Sequence, residues 1–249
     1  MQNIRDISYG DRLGSQARSN RMLAVAVLGA LFVLLIGMRM LPEESTPLLG
    51  KVMVLLGPTL ATASAGAYFG RRLTGWLPII GLFAVSMIGL FIIRAAGGSD
   101  VALPLLLGWG FVNGMILGPL IGMVLVQEGP EIVVQALVGT TTIMMGTGFV
   151  ALATGINFSF LMPVLFLALF GLIVVGLIGI FVRFSRTINL AYSILGIIVF
   201  SGYFLFDFFH LSKSENTWQQ AVQLTTRLYL DFANLFIFVL NLLLASRRR

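Results

Sequence analysis

Residues 159–182 read SFLMPVLFLALFGLIVVGLIGIFV, a run without a single charge. A hydrocarbon core of about 30 Å takes roughly 20 apolar residues in a helix, so this stretch is too long for a buried strand and reads as a transmembrane helix. Working outward, the pattern recurs in both directions. Apolar stretches bounded by charges, Gly, Pro or Asn cover 22–41, 52–70, 76–94, 101–126, 133–153, 189–210 and 222–245, so eight spans are expected in all. The connections are short, and the fold expected is an all-α membrane protein, one polytopic bundle of about eight helices. Residues 1–21 form a polar tail with four Arg against two Asp, and 246–249 a basic tail. A cleaved signal peptide is disfavoured, because the first apolar stretch ends in Met38-Arg39-Met40 without a small-residue cleavage site.

Composition points the same way. Charged residues make up 10% of the 249 and hydrophobic ones 58%, whereas soluble domains carry about 25% charge; the mean hydropathy is +0.98. This excludes most water-soluble enzyme folds and nucleic-acid binders. With no cysteine and only one histidine, His210, there is no thiolate nucleophile, no disulfide framework and no multi-His metal site. The partner expected is the lipid bilayer; nucleic acid, a cofactor and enzymatic chemistry are not. The net charge of +6 reads as orientation. Eleven basic residues, including Arg71, Arg72, Arg183, Arg186 and Arg247–Arg249, fall on the N-terminal side, against five (Arg39, Lys51, Arg94, Lys213 and Arg227) on the other. By the positive-inside rule both termini are cytoplasmic, in a bacterial inner membrane ahead of an organelle membrane. The small residues of Ala61-Thr62-Ala63-Ser64-Ala65-Gly66-Ala67 suit close helix approach in lipid.

Eight of the ten acids fall in tails or loops; Asp207 and Asp231 fall inside spans. An ionised carboxylate at that depth costs several kcal/mol unless it is paired, neutralised or wetted. The two sit on consecutive antiparallel spans and reach similar depth if the turn is centred near residue 219. Two carboxyls sharing a site cannot both ionise easily and titrate as a unit. Such a pair makes a proton-sensitive latch or, deprotonated, a transient hard-oxygen cation site. The alternative, that each aspartate only serves helix packing, stays open. Among the cations, Arg94 ends the third span on the same face as the pair, whereas Arg71 lies at the opposite face. Arg227 stands at i,i+4 from Asp231, where a local, structural ion pair is the rival expectation. His210, three residues after Asp207, shares its helix face and is a candidate modulator.

The runs Ala191-Tyr192-Ser193-Ile194-Leu195-Gly196-Ile197-Ile198-Val199-Phe200-Ser201 through Phe206-Asp207, and Leu228-Tyr229-Leu230-Asp231-Phe232-Ala233-Asn234-Leu235-Phe236, resemble the final two helices of the Bax inhibitor-1 family of membrane proteins. Gly114-Met115-Ile116-Leu117-Gly118-Pro119-Leu120 resembles the Gly/Pro element of that family's third helix, and Gly50-Lys51-Val52 through Ala67-Tyr68-Phe69-Gly70 its first. The resemblance covers roughly residues 50–245. It implies a seven-helix bundle, preceded here by the extra span 22–41, in which Asp207 and Asp231 form a pH-sensing pair, Arg94 is the latch, and Ca²⁺ leaks through the opened pore. The extra span, taken with the charge count, turns the pair outward. Arg227 stands where relatives usually carry a small or polar residue, and the stretch 76–94 has no acid, although some relatives have one there.

Two functions follow as expectations. One is a pH-sensitive Ca²⁺ leak channel or Ca²⁺/H⁺ exchanger. The other is a non-transporting membrane regulator that binds a membrane protease or a cell-death factor. An intramembrane aspartyl protease fits poorly, because Leu228-Tyr229-Leu230 precedes Asp231 in place of Gly-x-Gly and no Pro-Ala-Leu follows.

Overall fold

Each apolar stretch between residues 46 and 247 winds into one long helix. The computed structural model describes residues 46–247 apart from Gly98, Asp100 and Arg183; the expected first span, 22–41, and the tail 1–21 lie outside the described residues, as do Arg248 and Arg249. The helices are α1 (Leu48–Gly70), α2 (Trp76–Ala96), α3 (Ala102–Gln127), α4 (Pro130–Ala153), α5 (Leu161–Phe181, after a 3-10 turn at Phe158–Phe160), α6 (Arg186–Lys213) and α7 (Trp218–Arg247). All seven are long and apolar enough to cross a membrane. No strand occurs among the described residues. α6 and α7 run past the apolar limits read from sequence, because polar end residues such as Arg186, Lys213 and Gln219 continue the backbone ladder where the hydrocarbon stops.

Local chemistry sets the ends. Ser185 caps α6, its Oγ accepting from the Ile188 N–H at 3.3 Å, and Thr217 Oγ1 accepts from the Gln220 N–H at 3.2 Å at the start of α7. Gly129 takes φ 84° ahead of Pro130 at the first position of α4, a backbone turn that a Cβ would strain.

Packing is built on small residues. α1 and α3 run parallel with their backbones in contact: Gly110 lies on Thr59, Gly114 on Ala63 and Gly118 on Gly70. A Cβ on Gly114 would meet the carbonyl of Ala63, and one on Gly66 the carbonyl of Phe111. In lipid, where apolar surface gains nothing by leaving its solvent, such close approach supplies the association energy. α7 is the central helix, packed on α1, α4 and α6 and touching α2 and α3; Leu228, Leu235 and Leu240 on it are fully buried. The outer helices α2 and α5 show Phe83, Phe91, Phe166 and Phe170 to the outside, as a bilayer permits.

The parallel and antiparallel runs put the starts of α1 and α7 at one face and their ends at the other. Lys51, Arg94, Lys213 and Arg227 belong to the first face, Arg71, Arg186 and Arg247 to the second. Lys51 is fully buried at its face: its Nζ donates to the Asn216 carbonyl at 3.1 Å and lies 5.3 Å from the Trp218 ring centroid, tying α1 to the α6–α7 loop. At the other face Arg186 closes α7, with Nε donating to the Ala245 carbonyl at 3.0 Å and Nη2 to that of Ser246 at 3.2 Å.

Candidate functional site

Asp207 and Asp231 are both buried, 4% and 7% exposed. Both line one cavity at the α6–α7 interface, with their carboxyl groups close enough to act on each other electrostatically. The intervening loop is Ser214–Thr217, not a turn centred near residue 219, so Asp231 lies farther along its helix from the loop than Asp207 does. The two nonetheless share one cavity, and the start of α7 is also tied to α1, where the Thr225 hydroxyl donates to the Val52 carbonyl at 3.5 Å.

One cation reaches the pair. Arg227 Nη1 stands 3.8 Å from Asp207 Oδ1, and this is the one ion pair among the described residues. The local pairing of Arg227 with Asp231 is therefore replaced by a bond across helices. The reason is directional: a helical side chain leans toward the N-terminus of its helix, so an Arg four residues ahead of an Asp points away from it, the poorer order for an i,i+4 pair. That lean brings Arg227 back toward the face from which Asp207 approaches. Asp231 Oδ2 is buried with no hydrogen-bond partner, which costs free energy unless an ion, a proton or a water reaches it.

A cavity of about 500 Å³ opens beside the pair, lined by Arg94 and Ile93 of α2, Met162 of α5, Tyr203, Phe206, Asp207 and His210 of α6, and Thr226, Arg227, Leu230 and Asp231 of α7. All five residues singled out from sequence thus share one cavity. Arg94 is on its wall, exposed, and makes no ion pair with a described residue. His210 lies with its ring nearly parallel to that of Phe206, centroids 6.0 Å apart. Sequence reasoning missed Tyr203, Gln223 and Thr226, which also line the cavity; their signal was helical spacing, Tyr203 one turn from Asp207 and Gln223 one turn from Arg227.

Chemically the site offers up to four carboxyl oxygens and one held guanidinium. Among the described residues no cluster of three His, Cys, Asp or Glu is present, and a Ca²⁺ ion takes six to eight oxygens. Two carboxylates alone thus fall short of the oxygen count of a closed Ca²⁺ cage.

The family model described as "Inhibitor of apoptosis-promoting Bax1" matches residues 46–249. An uncharacterized protein of Campylobacter jejuni is 31% identical over 207 residues, covering 78% of this chain and 87% of that one. An uncharacterized membrane protein of Vibrio cholerae is 32% identical over 208 residues, 80% of this chain and 90% of the other. A Golgi anti-apoptotic protein of vaccinia virus is 35% identical over 119 residues, 48% of this chain and 49% of its own length.

Proposed function

The chain belongs to the Bax inhibitor-1 family, and from that premise we propose that it is a pH-sensitive Ca²⁺ leak channel or Ca²⁺/H⁺ exchanger of a bacterial inner membrane. In this reading it has both termini cytoplasmic and neither cofactor nor enzymatic activity. The observation that carries it is the placement of two buried intramembrane aspartates side by side on the wall of one cavity of about 500 Å³. Ionisable groups inside a membrane are costly, and an ion or proton path is a standing reason for keeping them there. Protons and Ca²⁺ compete for the same oxygens: with a proton shared, Asp207 and Asp231 hold α6 to α7, and without it they repel each other and attract a cation. Arg227, Arg94, His210 and Tyr203 face the pair around the cavity, so the proton's effect is read against two guanidinium charges. Arg227 holds Asp207 in the state described, and Arg94 is the second cation that can engage when the pair changes charge.

The test is Ca²⁺ flux into proteoliposomes of purified wild type, Asp207→Asn and Asp231→Asn across about pH 5 to 8, with orientation fixed by protease access to the C-terminus. The reading expects pH-dependent flux in wild type and an altered dependence in both variants. Identical flux in wild type and Asp231→Asn at every pH would sink it.

A second reading, a non-transporting regulator that binds another membrane protein such as a protease or cell-death factor, is favoured by the name of the vaccinia relative. Folded wild type that carries no Ca²⁺ in pure lipid but copurifies stoichiometrically with a membrane protein is its signature.

A further inference from the structure

On the side of α7 turned away from the aspartates, α1, α3, α4 and α7 leave a cavity of about 380 Å³. Its walls are apolar, with Leu117, Ile121, Leu137, Phe232 and Phe236 prominent, and its single charged lining residue is Arg71. Ser64 and Leu137, both on its wall, are exposed at mid-helix positions, so its mouth opens where hydrocarbon lies. A cavity this apolar does not retain water, and the material that fills it in a bilayer is an acyl chain.

Arg71 fixes what kind of lipid. It follows the last residue of α1, at the level where a span leaves the hydrocarbon and lipid phosphates begin. Its guanidinium lies 4.0 Å from the Tyr68 ring centroid, which holds the fork over the cavity mouth, and no described carboxylate is within ion-pairing distance of it. A planar guanidinium suits a phosphate bidentately. Arg72, next in sequence, is not on the wall.

We propose that this groove is a binding site for an anionic phospholipid, with one acyl chain between α1, α3, α4 and α7 and the phosphate on Arg71. The inference does not rest on the ion-pathway reading, since the aspartates and the groove lie on opposite sides of α7.

The test places the photocrosslinking residue p-benzoylphenylalanine at Leu137 in full-length protein, in nanodiscs of equal phosphatidylglycerol and phosphatidylcholine, and reads the adducts by mass spectrometry. The expected result is a phosphatidylglycerol share of adducts well above its share of the bilayer. Arg71→Gln should lower that preference about fivefold, the worth of one interfacial arginine toward an anionic lipid. Arg72→Gln should leave it unchanged, and Ala233→Phe, which fills the groove, should lose both adducts. Inorganic phosphate should not compete. A wild-type adduct ratio equal to the bilayer ratio overturns the proposal without recourse to any variant. So does an adduct on residues 22–41 or on a second copy of the chain, and so does displacement of the lipid by free phosphate.

Discussion

The bond between Arg227 and Asp207 can be measured by removing each end separately and together. At 3.8 Å and an effective dielectric constant of about 20, two unit charges attract by about 4 kcal/mol. The Arg227 side chain is 42% exposed against 5% for Asp207, so solvent and lipid headgroups screen much of that, and exposed pairs measured by double-mutant cycles return about 0.2 to 1 kcal/mol. Between these limits we expect a coupling of about 1 kcal/mol for Arg227→Gln with Asp207→Asn, and less for Arg227→Gln with Asp231→Asn, whose carboxyl is not within ion-pairing distance of Arg227. Reversible unfolding in lipid–SDS mixed micelles, followed by far-UV circular dichroism, gives the four stabilities each cycle needs. Asn keeps the shape of Asp and Gln much of the reach of Arg, so the cycle isolates charge. A coupling larger for Asp231 than for Asp207 would restore the pairing within α7 and refute the ion pair between helices. A coupling below about 0.3 kcal/mol in both cycles, within the usual additivity error, would mean that Arg227 is solvated and holds neither.

Gly114→Ala should destabilise the bundle by about 2 to 3 kcal/mol, because its methyl meets the Ala63 backbone, which cannot move aside; Gly108→Ala, with open space at its Cβ, should be neutral or gain up to about 1 kcal/mol of helix propensity, both by the same unfolding assay. Lys51→Ala should cost about 2 to 3 kcal/mol through the lost charged hydrogen bond to Asn216 and the lost stem packing. Lys51→Met should cost about half as much, since it keeps the stem and removes the burial penalty of the charge. Arg186→Gln should cost about 1 kcal/mol and, by hydrogen exchange, should raise exchange in the last turn of α7, whose terminal carbonyls it leaves open.

The seven described spans were legible because membrane crossing is a matter of length and apolarity, both properties of sequence alone. The acidic pair was legible for the complementary reason, that a carboxylate stands out against a span of Leu, Ile and Phe. What the sequence hid was direction. Arg227 is four residues from one aspartate and twenty from the other, yet its ion pair is with the more distant one, because the lean of side chains along a helix outweighs separation along the chain. Lys51 reads as an interfacial cation and is instead fully buried, for its partners Asn216 and Trp218 arrive from the far end of the chain. The small-residue run 61–67 was legible as a packing surface, but only the fold shows that Thr62, Ala63, Gly66 and Ala67 are buried while Ala61 and Ser64 face outward.

The polar cavity and the aspartates occupy only the half of the bundle nearer Lys51 and Arg94. Beyond them α6 and α7 close on each other through Phe200, Phe204, Leu235 and Phe238, all buried, with the rings of Phe200 and Phe238 stacked at 5.7 Å and Phe238 lying directly on Gly196. In the proposed channel reading, an ion that reaches Asp231 from the Arg94 face meets an aromatic cluster made by the same two helices that carry the pair. Stacked rings contribute about 1 kcal/mol beyond their buried area, and a carboxyl pair that gains or loses a proton changes the attraction between α6 and α7 by a comparable amount or more. In the proposed channel, gate and sensor would thus lie on one helix–helix contact, and no coupling over distance would be needed for a proton at Asp207 and Asp231 to act on the aromatic cluster.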